Sequence, residues 1–331
     1  MRANDFNSFV RNSSKRLAMP VAVYPALSLI GAKVSDIVTN PQVQFEAQAA
    51  LHERYHTPFV LSAMDLSAEA EAFGCEIYCS DTEVPSVMGR LVTNMEQARN
   101  LAVPRAGDKR TSVYLETVRR LTGLTGSPMV VAGCIGPFSL AARLVGVSEA
   151  MEMTVSEPEL MHLLLEKCTA FLTDYILAFR QAGARAVVMA EPAAGLLSPR
   201  SLSQLSSAYI KRIGEAVEDG HFGIVLHNCA ARLLHLPAVL ESGLSNFHFG
   251  APMDIVAALG KAPAEVVLCG NLDPAAVFVQ QNEAGISAQV AALCEKTAAY
   301  KNYVVSSGCD IPPNAPLSSL DAFYVAMPRG A

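Results

Sequence analysis

Short apolar runs alternate along this 331-residue chain with longer stretches in which apolar and polar positions recur at helical spacing. The runs fall at 19–25, 58–65, 128–134, 185–192, 222–229, 246–250, 265–271 and 302–309. Being apolar without strict alternation, they read as parallel strands buried on both faces rather than strands with one wet face. The gaps between them carry helix signals. Glu157-Pro158-Glu159 places acid and proline in a first turn, and the apolar periodicity that follows stops at Gly183. Ser198-Pro199 opens a second helix that runs to Gly220. This alternation predicts an α/β fold, a (β/α)8 TIM-type barrel forming a single domain over residues 1–331. An N-terminal extension precedes it, and the segment from Glu69 to Arg110, too long for a simple strand-to-helix connection, is expected to form an insertion over the barrel mouth.

Composition narrows the function more than the fold. A hydrophobic share of 51% supplies a large core, and a formal charge of -6 leaves no basic excess for nucleic acid or for an anionic membrane surface. No apolar run approaches the roughly 18 residues of a membrane span. The N-terminal residues lack the apolar centre of a signal peptide, so a cytoplasmic location is expected. The 8 cysteines are too scattered for a disulfide framework. Cys168 and Cys294 fall in helical patterns, Cys269 in a strand, and Cys75 and Cys79 flank Glu76-Ile77-Tyr78; all five read as packing residues.

The chemistry concentrates at predicted strand ends. His227 and Cys229 close the run FGIVLHNC, and Cys309 closes YVVSSGC three predicted strands later. Imidazole and thiolate are zinc's preferred ligands, and three protein ligands leave a fourth position for substrate, so the trio reads as both metal-binding and catalytic. Asp65, Glu191 and Asp273 also stand at strand ends, either as cofactor-binding carboxylates or as helix caps. His52-Glu53-Arg54-Tyr55-His56 matches the H-E-x-x-H protease pattern, but Thr57-Pro58 ends its helix at once and no third ligand follows. Walker A, G-x-G-x-x-G and G-x-S-x-G patterns are all missing from the sequence.

The segments DLSAEAEAFGCEI, IGPFSLAARLVG, AEPAAGLLSP, LHNC, GNLDP and SSGCDIPPNAP together resemble the uroporphyrinogen decarboxylase-like superfamily, in particular its methylcobamide:coenzyme M methyltransferase branch. The resemblance implies that His227, Cys229 and Cys309 hold Zn2+. It implies a zinc-dependent transfer of a methyl group from a methylcorrinoid, carried by a separate corrinoid protein, to a small thiol such as coenzyme M. Two departures stand out. The Arg-rich loop with which the decarboxylases grip substrate carboxylates is replaced by VAVYPALSLIGA, and NFHFGAPMD puts Gly250 and Ala251 where an acidic residue is expected. This leaves the fourth ligand open, with His248 or Asp254 as the substitutes. For a sulfonate-bearing thiol, Arg90 and Arg143 are the candidate cations. A cofactor-free decarboxylase and a non-catalytic barrel that binds a corrinoid or tetrapyrrole remain the alternatives.

Overall fold

The computed structural model describes residues 4–328. Nine strands occur among them, two of which, β2 (Glu76–Tyr78) and β3 (Ser86–Met88), form a separate antiparallel hairpin. The other seven build one curled, all-parallel sheet in the order β1 (Phe59–Leu61), β4 (Met129–Ile135), β5 (Ala186–Ala190), β6 (Gly223–Asn228), β7 (Asn246–Phe249), β8 (Val267–Leu272) and β9 (Tyr303–Ser307). Every residue of β5, β6, β7 and β9 is buried, as continuous apolar runs require when helices cover the outer face and side chains fill the inner one. The fold is a TIM-type α/β barrel. The helix Pro158–Gln181 shows how the periodicity is used: Leu164, Cys168, Phe171, Tyr175 and Phe179 are buried along one side, and Phe171, Tyr175 and Phe179 lie ring against ring.

The eighth strand, expected at 19–25, does not form. The segment makes a single parallel bridge, Ala18 to Val305, and a 3-10 turn takes over at Tyr24–Ala26. Met19 N–H donates to Val305 O (2.9 Å), but Pro20 has no N–H to extend a ladder on its other side. The facing edge of β1 is closed by side chains instead. Thr57 Oγ1 accepts from Phe59 N–H, Gln48 Oε1 from Leu61 N–H (3.0 Å) and Gln44 Oε1 from Ala63 N–H (3.0 Å). Gln44 and Gln48 are themselves buried on the helix Pro41–Tyr55, so this helix seals the seam and leaves no open strand edge to water.

The expected insertion contains the helix Ala68–Phe73, the β2–β3 hairpin and the helix Met95–Asn100. It packs outward on two helices: Leu91 and Val92 donate to Leu144 O, and Lys167 Nζ donates to the carbonyls of Arg99 and Leu101. The helix expected from Ser198 to Gly220 is also modified, with a π turn at Ser203–Ser207 and an end at Val217. No helix among the described residues is long and apolar enough to cross a membrane.

Candidate metal centre at the barrel mouth

His227 lies one residue inside the C-terminal end of β6, Cys229 just beyond that end, and Cys309 two residues past β9. Their ligand atoms all lie within 4.8 Å of one another. Two tight backbone approaches make this possible. A β-carbon on Gly250 would stand 2.1 Å from the Cys229 carbonyl oxygen, and one on Gly308 would stand 2.8 Å from Ala251 N and 3.1 Å from the Gly250 α-carbon. Only glycines let the β6, β7 and β9 ends close on each other here. Asn228 Oδ1 accepts from Ala230 and Ala231 N–H and so fixes the turn that carries Cys229, while Asn271 Nδ2 donates to the carbonyls of Gly250 and Met253.

The electrostatics suit a soft cation. A hydrogen bond from Cys309 pulls the Cys229 thiol down to about 7, and backbone N–H groups of Cys229 and Ala230 help against the cost of burial. The same hydrogen bond, with burial, pushes Cys309 up to about 12. A cation standing in place of that hydrogen bond would hold both sulfurs as thiolates. One imidazole and two thiolates match zinc's preference and leave a coordination position open, so the residues present fit the group.

Neither His248 nor Asp254 is grouped with the three donors. His248 pairs with His227 across β6 and β7, but it is fully buried and both its nitrogens are engaged, Nδ1 with His227 Nδ1 (2.8 Å) and Nε2 with Ser306 Oγ (2.8 Å). Burial holds its pKa well below the ordinary imidazole value. Asp254 is exposed and caps the helix Ile255–Lys261 by accepting from Ala257 N–H.

The three strand-end carboxylates do not join the cluster. Asp65 is buried and accepts from Arg110, Tyr114 Oη, Ser67 Oγ and the N–H groups of Ser67 and Ala68. Arg110 also donates to Glu71 Oε2 (2.6 Å), so Asp65 ties the two ends of the insertion together. Glu191 accepts from Phe138 and Ser139 N–H, Ser139 Oγ and Ser206 Oγ, which puts its carboxylate at the N-terminus of the helix Pro137–Val145. The π turn at 203–207 is what presents Ser206. Asp273 accepts from Ala275 and Ala276 N–H in a local turn.

Sequence reasoning missed two buried polar atoms, one of them on the residue that follows Cys309. Asp310 Oδ1 and the Tyr24 hydroxyl are buried with no hydrogen-bond partner among the described residues. Of the two candidate arginines, Arg90 pairs with Glu149 (3.2 Å), whereas half-buried Arg143 has no ion pair or hydrogen bond among the described residues. Burial lowers its pKa, while Asp65 and Glu69 at the mouth favour its charge.

A cleft of about 1580 Å³ opens at the opposite end of the barrel and is lined by His52, Glu53, His56, Pro58 and Met129. His52 directs Nδ1 at Thr57 O and Nε2 at Thr125 O, each at 3.0 Å, and His56 is the left-handed residue ending the helix. Both ring nitrogens of His52 thus face main-chain carbonyls rather than a third ligand, and barrel chemistry belongs to the other end.

The chain is similar to the methylcobamide:CoM methyltransferase MtbA of Methanosarcina acetivorans, 29% identical over 283 residues that cover 83% of this chain and 82% of the relative. The protein of the same name from Methanosarcina mazei is 28% identical with the same coverage. It is similar as well to uroporphyrinogen decarboxylase of Ectopseudomonas mendocina, 26% identical over 311 residues, 89% of this chain and 86% of the relative. A solved methyltransferase from Methanosarcina mazei shares the fold with a TM-score of 0.87 at 23% identity, over 97% of this chain and 96% of that one. The family model described as uroporphyrinogen decarboxylase (URO-D) matches residues 16–329, from just ahead of the Ala18 bridge through every barrel strand, and the chain belongs to that family.

Proposed function

We propose that this protein is a methyltransferase that moves a methyl group from a methylated corrinoid to a thiol, with His227, Cys229 and Cys309 holding zinc. The observation that carries the reading is the convergence of these three donors, from two distant parts of the chain, within 4.8 Å at the barrel mouth. The similarity to proteins named methylcobamide:CoM methyltransferase supports the choice of donor and acceptor. When bound, zinc supplies Lewis acidity that keeps a substrate thiol in its thiolate form near neutral pH.

The chain's own residues supply the rest. Two thiolates and one neutral imidazole cancel the dication's charge, so an incoming thiolate stays electron-rich. Its sulfur lone pair forms the new S–C bond, the Co–C bond breaks, and its electron pair remains on cobalt, giving a thioether and cobalt(I). Arg143, without an ion pair among the described residues, suits an anionic tail on the thiol. Buried Asp310 Oδ1 and Tyr24 Oη offer polar contacts to whatever fills the mouth. The corrinoid is taken to arrive on a separate protein that docks at this mouth.

The test is a thiol screen with methylcobalamin under anaerobic conditions, following the cobalt(I) spectrum, alongside metal analysis of wild type and Cys309→Ser. Stoichiometric zinc that falls on substitution, with thiol-dependent demethylation, is expected. Carbon dioxide release from a porphyrinogen without metal, or tight corrinoid binding without transfer, refutes the reading.

A further inference from the structure

The contacts of His248 settle more than its exclusion as a ligand, because hydrogen bonds have direction. Ser306 Oγ lies 2.6 Å from Met19 O and 2.8 Å from His248 Nε2. A carbonyl only accepts, so the single hydroxyl proton of Ser306 goes to Met19. Ser306 must then accept from His248 Nε2–H. A neutral imidazole has one N–H and one lone pair, so with its proton on Nε2 the buried His248 ring keeps its lone pair on Nδ1. That lone pair, 2.8 Å from His227 Nδ1, accepts the His227 Nδ1–H. The remaining lone pair of His227 is therefore on Nε2.

We infer that Met19, Ser306 and His248 form a positioning relay that fixes the tautomer and orientation of His227 and makes Nε2 its metal-binding atom. The inference rests on the zinc reading above, but its proton directions come from the hydrogen-bond geometry alone. Such outer partners hold a ligating ring in place and raise its basicity, and their loss typically costs about 10–100-fold in metal affinity. Here the relay ends on a main-chain carbonyl of the N-terminal segment, beside the Ala18 to Val305 bridge. The incomplete eighth strand thus acquires a role in the site: it supplies the acceptor that orders the whole chain of protons.

Histidine-selective 15N NMR of the metal-free protein, with zinc affinity measured by competition against a chromophoric chelator, tests the relay. His227 is expected as the Nδ1–H tautomer and His248 as the Nε2–H tautomer. Zinc affinity is expected to fall about 10–100-fold in His248→Leu and Ser306→Ala. His248→Asn, whose Oδ1 still accepts at the Nδ1 position, should restore most of the loss, a rescue that a merely space-filling role would not give. Ser306→Ala, a small change, keeps the test valid if His248→Leu fails to fold. An Nε2–H tautomer of His227, or wild-type zinc affinity in both His248→Leu and Ser306→Ala, overturns the relay while leaving methyl transfer in place. Wild-type protein that shows both expected tautomers yet takes up no zinc supports the proton directions and overturns the metal reading.

Discussion

Replacing Gly250 by alanine tests whether backbone contact at the mouth, rather than the ligands alone, assembles the centre. The added β-carbon would lie 2.1 Å from the Cys229 carbonyl oxygen and 2.7 Å from its α-carbon and carbonyl carbon. Non-bonded heavy atoms rest at about 3.5 Å, so the β6 and β7 ends must separate by more than about 1 Å. Neither side of the contact is a flexible side chain, and Asn271 pins the Gly250 loop by two hydrogen bonds. Overpacking of this kind costs about 1–3 kcal/mol, and backbone-to-backbone contact places it at the upper end. With an unfolding entropy of about 0.7 kcal/mol per kelvin for a chain this long, Tm should fall by about 4 °C. Metal–ligand distances tolerate only about 0.2 Å, so the displacement of Cys229 should weaken zinc binding by about tenfold or more. Gly308→Ala, with its nearest contact at 2.8 Å, should be milder, and Gly220→Ala, with nothing within 4 Å, should be nearly neutral. Thermal unfolding and chelator competition on the three variants read both effects. Gly250→Ala with wild-type Tm and zinc affinity would refute the reasoning.

Three further outcomes are expected. Burial pushes Glu69 up to about 7, against a lowering hydrogen bond from Ile135 N–H, so between about pH 4.5 and 7 the folded chain keeps a proton that the unfolded chain releases, and stability falls as pH rises through that window. Relative to Glu69→Gln, wild type should lose about 2–3 kcal/mol from pH 4.5 to 8 in urea unfolding; parallel curves would show that Glu69 does not carry the effect. Arg110→Met strands the buried Asp65 carboxylate and should cost about 3–5 kcal/mol, part of which Asp65→Asn added to it restores; a neutral Arg110→Met would mean that the insertion is held elsewhere. Gln48→Leu leaves the Leu61 N–H without its acceptor and should cost about 1–3 kcal/mol, with faster hydrogen exchange at that amide; unchanged exchange would argue against the side-chain seal.

The sequence by itself determined seven of the barrel strands, the long helix from Pro158 and the candidate ligands, because burial on both faces, helical periodicity and ligand chemistry are properties of local residue type. The eighth run, MPVAVYP, is as apolar as the others and reads the same way. Only tertiary structure decided that Pro20 interrupts it and that Gln44 and Gln48, from a different element, satisfy the amides of β1. Asp65 and Glu191 were legible as acids at the mouth, yet their oxygens serve Arg110, Tyr114 and a helix N-terminus that no local pattern identifies as their partners. His248 is the sharpest case. As a residue type it is a ligand, and its place on β7 opposite His227 agrees. What removes it from the ligand set is the hydroxyl of Ser306, two strands away in the sheet, whose own proton is committed to Met19 near the start of the chain. Residue type sets which bonds a group can make; which of them it makes depends on partners that only the closed barrel brings within 3 Å.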